Sequence, residues 1–537
     1  MEQRMDLVVL GGGMAGMGLA LQVRRQLPTI RILVLERNTF PVEESAYKIG
    51  ESTVEVSSHY FANILGFGQH LKDEHLPKLG QRFFWDNGSN TDISSRLELG
   101  CRDFPAADTY QIARGRFENF IIDKCNRDNI DVQEGTKVID VQIGSEESDH
   151  TVFYERAGSQ SQVSCRWLVD ATGGGAVLKQ KLKLDREADH KVSSAWFRVA
   201  REVKVDEWSE SLQWQERHGS GPERRLSVNH LMGRGYWIWL IPLASGSTSI
   251  GLVADEHLHP SCEFDTFEKL VKWMEKHEPQ CASLVQEAVS DFQDFGILKE
   301  FSRHTTKAYS PDRWFLTGIA GVFVDPFYSP GSDFIAFSNT FITDLICSDH
   351  AGDKGVDRRI EAANSFFLSL TDAYFKIFRG QYEIFGNQQV MPLKICWDWS
   401  IYWTQNAFIF CQGDYAELPK KPEVWPLLHS FTALNENMQR FFLTWSRLDT
   451  KNEPTQEYID WTECEFLRSL NERLVCATKN TQTLKELEGA FERLSQAAGE
   501  MVQAGVNRVP ELEEFLQYVS VTGRREHYSY ILDKVGV

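Results

Sequence analysis

The segment from Leu7 to Glu36 constrains the fold more than any other part of the chain. Leu7-Val8-Val9-Leu10 is a short apolar run of strand type, broken by Gly11-Gly12-Gly13 and followed by Met14-Ala15-Gly16 and a helical spacing through Leu19, Leu21 and Val23. Ile32-Leu33-Val34-Leu35-Glu36 reads as a second strand. A strand, glycine turn, helix and strand within about thirty residues is the context in which G-x-G-x-x-G signals dinucleotide binding. Gly11 permits the tight turn, Gly13 lets backbone approach a pyrophosphate, and Gly16, next to Ala15, allows close helix packing. The helix start then faces the negative charge. Glu36 is placed to bond a ribose hydroxyl, and an acid there disfavours a 2′-phosphate, so the unit predicts FAD or NAD rather than NADP. The expected fold class is α/β with a Rossmann-like module.

A chain of 537 residues exceeds what one small core supports and predicts two or three packed subdomains. Its formal charge of -19 and pI near 5.3 repel phosphate backbones and anionic lipid, which argues against nucleic-acid and membrane partners. The 10 cysteines are scattered without a C-x-x-C pair or His/Cys ligand spacing, so they read as reduced thiols, and no metal site is expected. The N-terminus runs straight into the first strand without the regions of a signal peptide, and no apolar run is long enough for a membrane span. These features predict a cytoplasmic protein.

Alternating apolar residues from Val138 to Val169 predict a strand meander that ends in Asp170-Ala171-Thr172-Gly173. Stretches such as Val192–Val199 and Gly235–Pro242 predict a substrate-side sheet within about 190–300. Residues 1–345 are thus expected to form one module, and residues 346–537 a mostly helical C-terminal subdomain with helices over Arg358–Phe385 and Thr483–Val502. Leu484, Leu487, Phe491, Leu494 and Met501 form a stripe that reads as packing on its own domain. Glu417–Pro426, with three prolines, is expected to be an exposed loop. Trp397, Trp399, Trp403, Trp445 and Trp461 crowd the helical region; they suit a flat aromatic ligand, but core is the expectation for most of them.

Three further motifs lie in order along the chain. Lys48-Ile49-Gly50-Glu51-Ser52-Thr53 comes first, then Trp237-Ile238-Trp239-Leu240-Ile241-Pro242, then Phe323-Val324-Asp325-Pro326-Phe327-Tyr328-Ser329-Pro330-Gly331. Physically, the second is a strand with Trp237, Trp239 and Ile241 on one face and Ile238 and Leu240 on the other, which a plain core strand also explains. Lys78 stands at the head of another strand, where Leu76, Leu79, Phe83 and Phe84 would desolvate it and lower its pKa.

Together with D-A-T-G, these motifs resemble the flavin-dependent halogenases, a family built on the aromatic-hydroxylase type of FAD-binding fold. The resemblance covers residues 1 to about 345. It implies FAD used as FADH2, delivered by a separate flavin reductase, with O2 and chloride or bromide as co-substrates. It implies cofactor contacts from Lys48, Gly50, Glu51, Ser52, Arg114, Asp170 and Gly331, and halide held by Ser329, Gly331 and Ser332. Trp237 and Trp239 would wall the substrate from the flavin, and Lys78 would hold hypohalous acid or carry the halogen as a haloamine.

Two departures matter. Pro330 has no N–H to offer a halide. Tyr328 stands where tryptophan halogenases carry a glutamate, so phenolic, pyrrolic, indolic or carrier-tethered substrates are expected instead of free tryptophan. Ile319, where aromatic hydroxylases usually carry aspartate, agrees with the halogenase resemblance; Arg116 reads as a surface charge beside the better-placed Arg114. The alternatives are a single-component hydroxylase or oxidoreductase using NAD(P)H, and a non-catalytic flavoprotein whose helical region holds a carrier or assembly partner.

Overall fold

The computed structural model describes residues 3–44, 48–145, 148–449, 455–476 and 483–537. Two eight-stranded sheets and a set of long helices share the chain. In the first sheet Gln3–Leu10 is central, parallel on one side to Ile32–Leu35 and on the other to Ser159–Asp170. Trp314–Leu316 extends this sheet in parallel beyond Ser159–Asp170. The glycine turn after Gln3–Leu10 opens the helix Met14–Gln26, whose face from Met14 to Val23 is buried. The mixed α/β fold expected from the first thirty-six residues is therefore present, with the meander to Asp170 as its back edge.

The second sheet runs Phe292–Leu298, Val192–Val199, Thr248–Asp255, Tyr236–Pro242, Val228–Gly233, Gln81–Trp85, Glu98–Gly100 and Tyr458–Asp460. Tyr236–Pro242 lies in its interior, buried at every residue, and separates two cores. Trp237, Trp239 and Ile241 enter the large core shared with the helices, whereas Ile238 and Leu240 enter a smaller one with Phe197 and Trp273. The alternation read from the sequence thus marks a strand covered on both faces. The space for Trp239 comes from Gly251 directly opposite: a Cβ there would stand 2.2 Å from the indole.

From residue 346 onward the described chain is mainly helical, but Tyr458–Asp460 adds a parallel edge strand to Glu98–Gly100. Its three residues are too few to show a period of two, which hid it in the sequence. The helix Pro330–His350 runs across residue 345 and packs on Met14–Gln26. The expected loop at 417–426 is instead a 3-10 turn over Tyr415–Lys420 and the start of the helix Trp425–Leu448, because Leu418 and Val424 are buried and anchor it. No helix among the described residues is long and apolar enough to cross a membrane.

Gly251→Val should destabilise the protein by about 1–3 kcal/mol through overpacking against Trp239, read as a lower midpoint in denaturant unfolding.

Candidate active site

The cofactor cradle follows from backbone geometry. Gly11 has φ +101, a left-handed conformation that costs other residues strain, and a Cβ on Gly16 would stand 2.1 Å from the Gly11 carbonyl oxygen. Above Gly13 there is open space: a Cβ would meet nothing within 4 Å, and the same is true at Gly173 and Gly174 beside it at the end of Ser159–Asp170. The helix Met14–Gln26 has no acid in its first turn and no side-chain cap, so its N-terminal N–H groups are left for a ligand. A glycine turn touching Ala171, an uncapped helix start and an unfilled space fit the diphosphate of FAD.

Glu36 is buried, and its two oxygens accept from the N–H of Gly12 at 2.6 Å and of Asn38 at 2.7 Å. It pins the glycine turn while each oxygen keeps a further lone pair for a ribose hydroxyl. Asp170 accepts from the N–H of Thr172 and Leu178 and from the Thr172 hydroxyl, so it caps the D-A-T-G turn from inside. Ala15 shapes the loop through its carbonyl, which accepts from Asn339 at 3.0 Å.

The K-x-G-E-S-T segment sits between the two sheets. Lys48 pairs with Glu118, and Arg114 donates to Glu118 at 2.7 Å and to the Ile49 carbonyl at 2.6 Å, which holds Gly50 in its left-handed conformation at φ +96. The Glu51 carboxylate does not reach toward the glycine turn. It is buried against Arg198 at 2.8 Å and ties the segment to the substrate-side sheet. Arg116 pairs with Glu44 and Glu74 near the surface.

Ser52 and Lys78, far apart in sequence, are brought together because Leu76–Pro77 pairs antiparallel with Tyr110–Gln111 and Gln111 bridges to Ser52. Lys78 is 2% exposed. Its Nζ donates to Ser52 Oγ and to the Thr53 carbonyl, both at 2.8 Å, which leaves one valence of the amine directed to neither. Burial lowers its pKa to about 8, while Glu55 and Asp333 oppose that shift by favouring the ammonium. The unfolded chain binds the proton more tightly, so this burial opposes folding fully below about pH 8, and the opposition fades as pH rises from there to the ordinary value of 10.5. A shift of that size corresponds to roughly 3 kcal/mol. A side chain held at such a cost contributes something other than stability.

Lys78 opens on a cavity whose walls come from both halves of the chain. They include Glu55, Tyr328, Pro330 and Asp333 on one side and Tyr374 and Tyr402 on the other. Trp399, Trp403 and Trp461 complete the wall and touch one another, with ring centroids 5.3–5.8 Å apart. All five tryptophans lie in the large hydrophobic core, as expected for most of them, and Trp399, Trp403 and Trp461 in addition present part of their surface to the cavity. Their helical spacing is the same as that of core residues, so only the tertiary arrangement separates them.

Asp333 and Glu55 went unnoticed in the sequence. Asp333 lies in the first turn of Pro330–His350, two residues past the third motif; it accepts from the Ser57 N–H at 2.9 Å and the Tyr402 hydroxyl at 2.7 Å, and burial raises its pKa to about 7. Glu55 accepts from the Trp403 indole N–H at 2.9 Å, and burial raises its pKa also. An acid two residues past each of two motifs was the signal available.

The turn before Pro330–His350 is held from behind. Asp325 accepts from His190 at 2.7 Å, from the Tyr382 hydroxyl at 2.8 Å and from the Phe327 N–H at 2.9 Å; Tyr382 in turn accepts from the Trp237 indole at 3.0 Å. Ser329 is left-handed at φ 58, and its N–H is taken by the Pro326 carbonyl at 2.8 Å. With Pro330 lacking an N–H, Gly331 and Ser332 supply the first N–H groups of the helix, which have no acceptors within it. Trp237 and Trp239 are buried and are not among the described cavity walls; Trp237 meets the site through Phe327, 5.3 Å away, which packs on Tyr328. Tyr328 is buried and donates to Asp398 at 2.8 Å, so its hydroxyl is committed to a packed network.

Gly16→Val should abolish measurable FAD binding, because the side chain must displace the Gly11 carbonyl; flavin fluorescence titration checks it, and unchanged affinity would contradict the assigned cradle.

Comparison with known proteins places this geometry. The family model for the FAD binding domain matches residues 4–274. The flavin-dependent halogenase chlA of Dictyostelium discoideum is 27% identical over 436 residues, spanning 74% of this chain and 69% of that protein. A 1H-pyrrole-2-carbonyl-[peptidyl-carrier protein] chlorinase of Pseudomonas fluorescens is 23% identical over 344 residues, spanning 61% of this chain and 72% of that protein. Among solved structures, the halogenase PltM in complex with phloroglucinol and FAD superposes with a TM-score of 0.61 at 15% identity, covering 97% of each chain. A flavoprotein/dehydrogenase from Cytophaga hutchinsonii superposes with a TM-score of 0.55 at 18% identity, covering 88% of this chain and 99% of that one. Cradle, fold and family model agree: the chain belongs to the FAD-binding domain family, and the curated relatives it resembles are flavin-dependent halogenases.

Proposed function

We propose that the chain is a two-component flavin-dependent halogenase acting on an electron-rich aromatic compound. The observation that carries this reading is the buried amine of Lys78 in the wall of an aromatic cavity, in a chain whose relatives are named halogenases. Gly11, Gly13, Gly16 and Glu36 would hold FAD, which, once reduced by a separate flavin reductase, would supply with O2 the oxidation of chloride or bromide to hypohalous acid. The N–H groups of Gly331 and Ser332, with the Ser329 hydroxyl, hold the halide at the helix start.

Lys78 then acts on the hypohalous acid. Ser52 and Thr53 take two of its N–H groups, and below about pH 8 the third donates to the hypohalous oxygen. That bond draws electrons from the halogen and makes it the electrophile; above this pH the lone pair can carry the halogen as a haloamine. Trp399, Trp403 and Trp461 give a flat ring three faces to stack on. Trp237, through Phe327, braces the wall between the substrate-side sheet and the turn. The substrate is phenolic, pyrrolic or indolic; a carrier-tethered form is supported by the relative that acts on a carrier-bound pyrrole.

Given reduced FAD, O2 and bromide, the protein should brominate members of a panel of phenols, pyrroles and indoles. Hydroxylated products alone, or substrate-stimulated reduction of FAD by NADPH without a reductase, would establish the hydroxylase instead. Lys78→Ala should keep FAD and lose at least ~100-fold in halogenation. In the native enzyme the ammonium route should fade as pH rises through about 8, measured as kcat/KM.

A further inference from the structure

The cavity has a charge pattern that selects its substrate. Its described walls carry Glu55, Asp333 and Asp398 against a single cation, Lys78. Asp398 is saturated: it accepts from Tyr328, from Gln439 and from Lys394. Asp333 is different. Its two hydrogen bonds, from the Ser57 N–H and the Tyr402 hydroxyl, occupy one site on each oxygen, and a carboxylate offers about four. Tyr402 is itself fixed, since its oxygen accepts from the Val56 N–H at 3.2 Å. Asp333 is therefore a braced acceptor in the same wall as the lysine that delivers halogen and the tryptophans that stack on a ring.

We propose that the substrate is a phenol whose hydroxyl donates to Asp333, and that Asp333 is the base that ionises it. This rests on the halogenase reading above. A carboxylate wall repels anionic ligands and rewards an O–H donor, whereas a phenol left neutral is a weaker nucleophile than its phenolate. In the step, Asp333 takes the hydroxyl proton and the phenolate ring carbon attacks the halogen of the hypohalous acid held by Lys78. The carbon–halogen bond forms as the oxygen–halogen bond breaks, and the departing hydroxide takes a proton from the Lys78 ammonium and leaves as water. The proton lost from the halogenated carbon restores that ammonium, and Asp333 returns its proton to the phenolate oxygen. The sum is phenol plus hypohalous acid giving halophenol plus water.

The titratable groups facing Asp333 are Tyr402, Tyr374, Tyr415, Cys411, Glu55 and Lys78. Burial pushes the three tyrosines far above their ordinary range and Cys411 to about 12, so they stay neutral. Asp333 must be ionised to work, and its pKa is about 7, so the rate with phenols rises as pH climbs through that value.

The test uses the FAD-loaded protein. With oxidised FAD and no reductase, a phenol should bind more tightly as pH rises through about 7, read from the perturbation of the flavin absorbance, and Asp333→Asn should lose that pH dependence. In turnover Asp333→Asn should lose at least ~100-fold in kcat/KM with phenols, together with the limb near pH 7, and should be spared with a phenol acidic enough to be ionised already. Tyr402→Phe removes a hydrogen bond that stabilises the carboxylate and should move the limb to higher pH, which keeps the test open should the asparagine variant fail to retain FAD. An unchanged rate and limb in Asp333→Asn, or an unmoved limb in Tyr402→Phe, overturns the proposal. Absence of halogenated product from the native enzyme would instead overturn the halogenase reading, and the pH dependence of phenol binding would still decide whether Asp333 takes the phenol hydroxyl.

Discussion

The amine of Lys78, held out of water by Ser52 Oγ and the Thr53 carbonyl, is the interaction on which the functional architecture turns. Burial alone would drive the lysine to neutrality or the segment to unfold. Two acceptors and the nearby carboxylates of Glu55 and Asp333 keep the charged form accessible, so the group rests close to the point where both protonation states are present. Everything that surrounds it follows. The pairing of Leu76–Pro77 with Tyr110–Gln111 sets its position, and the helix start after Pro330 sets the carboxylate that faces it.

That arrangement depends in turn on the interior strand Tyr236–Pro242. Its large face packs Trp237 against Phe327, and its indole N–H reaches Asp325 through Tyr382, so the sheet and the turn at 323–331 are one rigid unit. Arg198, which donates to both Glu51 and Asp294, ties the same sheet to the segment that carries Ser52. Two motifs that read as separate signals in the sequence are thus ends of one buried polar network, and such networks fix geometry because every member must be satisfied.

The legibility of the chain varied with the range of the interactions involved. The glycine turn, Glu36 and Asp170 act through local backbone geometry, and their residue types alone predicted the cradle. The two faces of Trp237-Ile238-Trp239 were legible because strand side chains alternate. The depressed pKa of Lys78 followed from its apolar neighbours. Trp399, Trp403 and Trp461 were not separable from Trp397 and Trp445, since a helical spacing is the same for a core and for a cavity wall. Asp333 owes its character to Ser57 and Tyr402, which are remote in sequence, and the edge strand Tyr458–Asp460 exists only because Glu98–Gly100 offers it a free edge. The partner of Glu51, Arg198, lies on a strand remote in sequence, so their ion pair was not legible either.

The chemistry proposed for the site turns on the state of one nitrogen, and a titration of that nitrogen tests it most directly. Isotope-labelled lysine followed by NMR in the FAD-loaded protein, with Lys78→Arg to assign the resonance, reads the protonation of Lys78 without any turnover. Lys78 should titrate at about 8, separate from the surface lysines. A Lys78 that titrates at the ordinary 10.5 would show a solvated amine and would contradict the dry, halogen-delivering site.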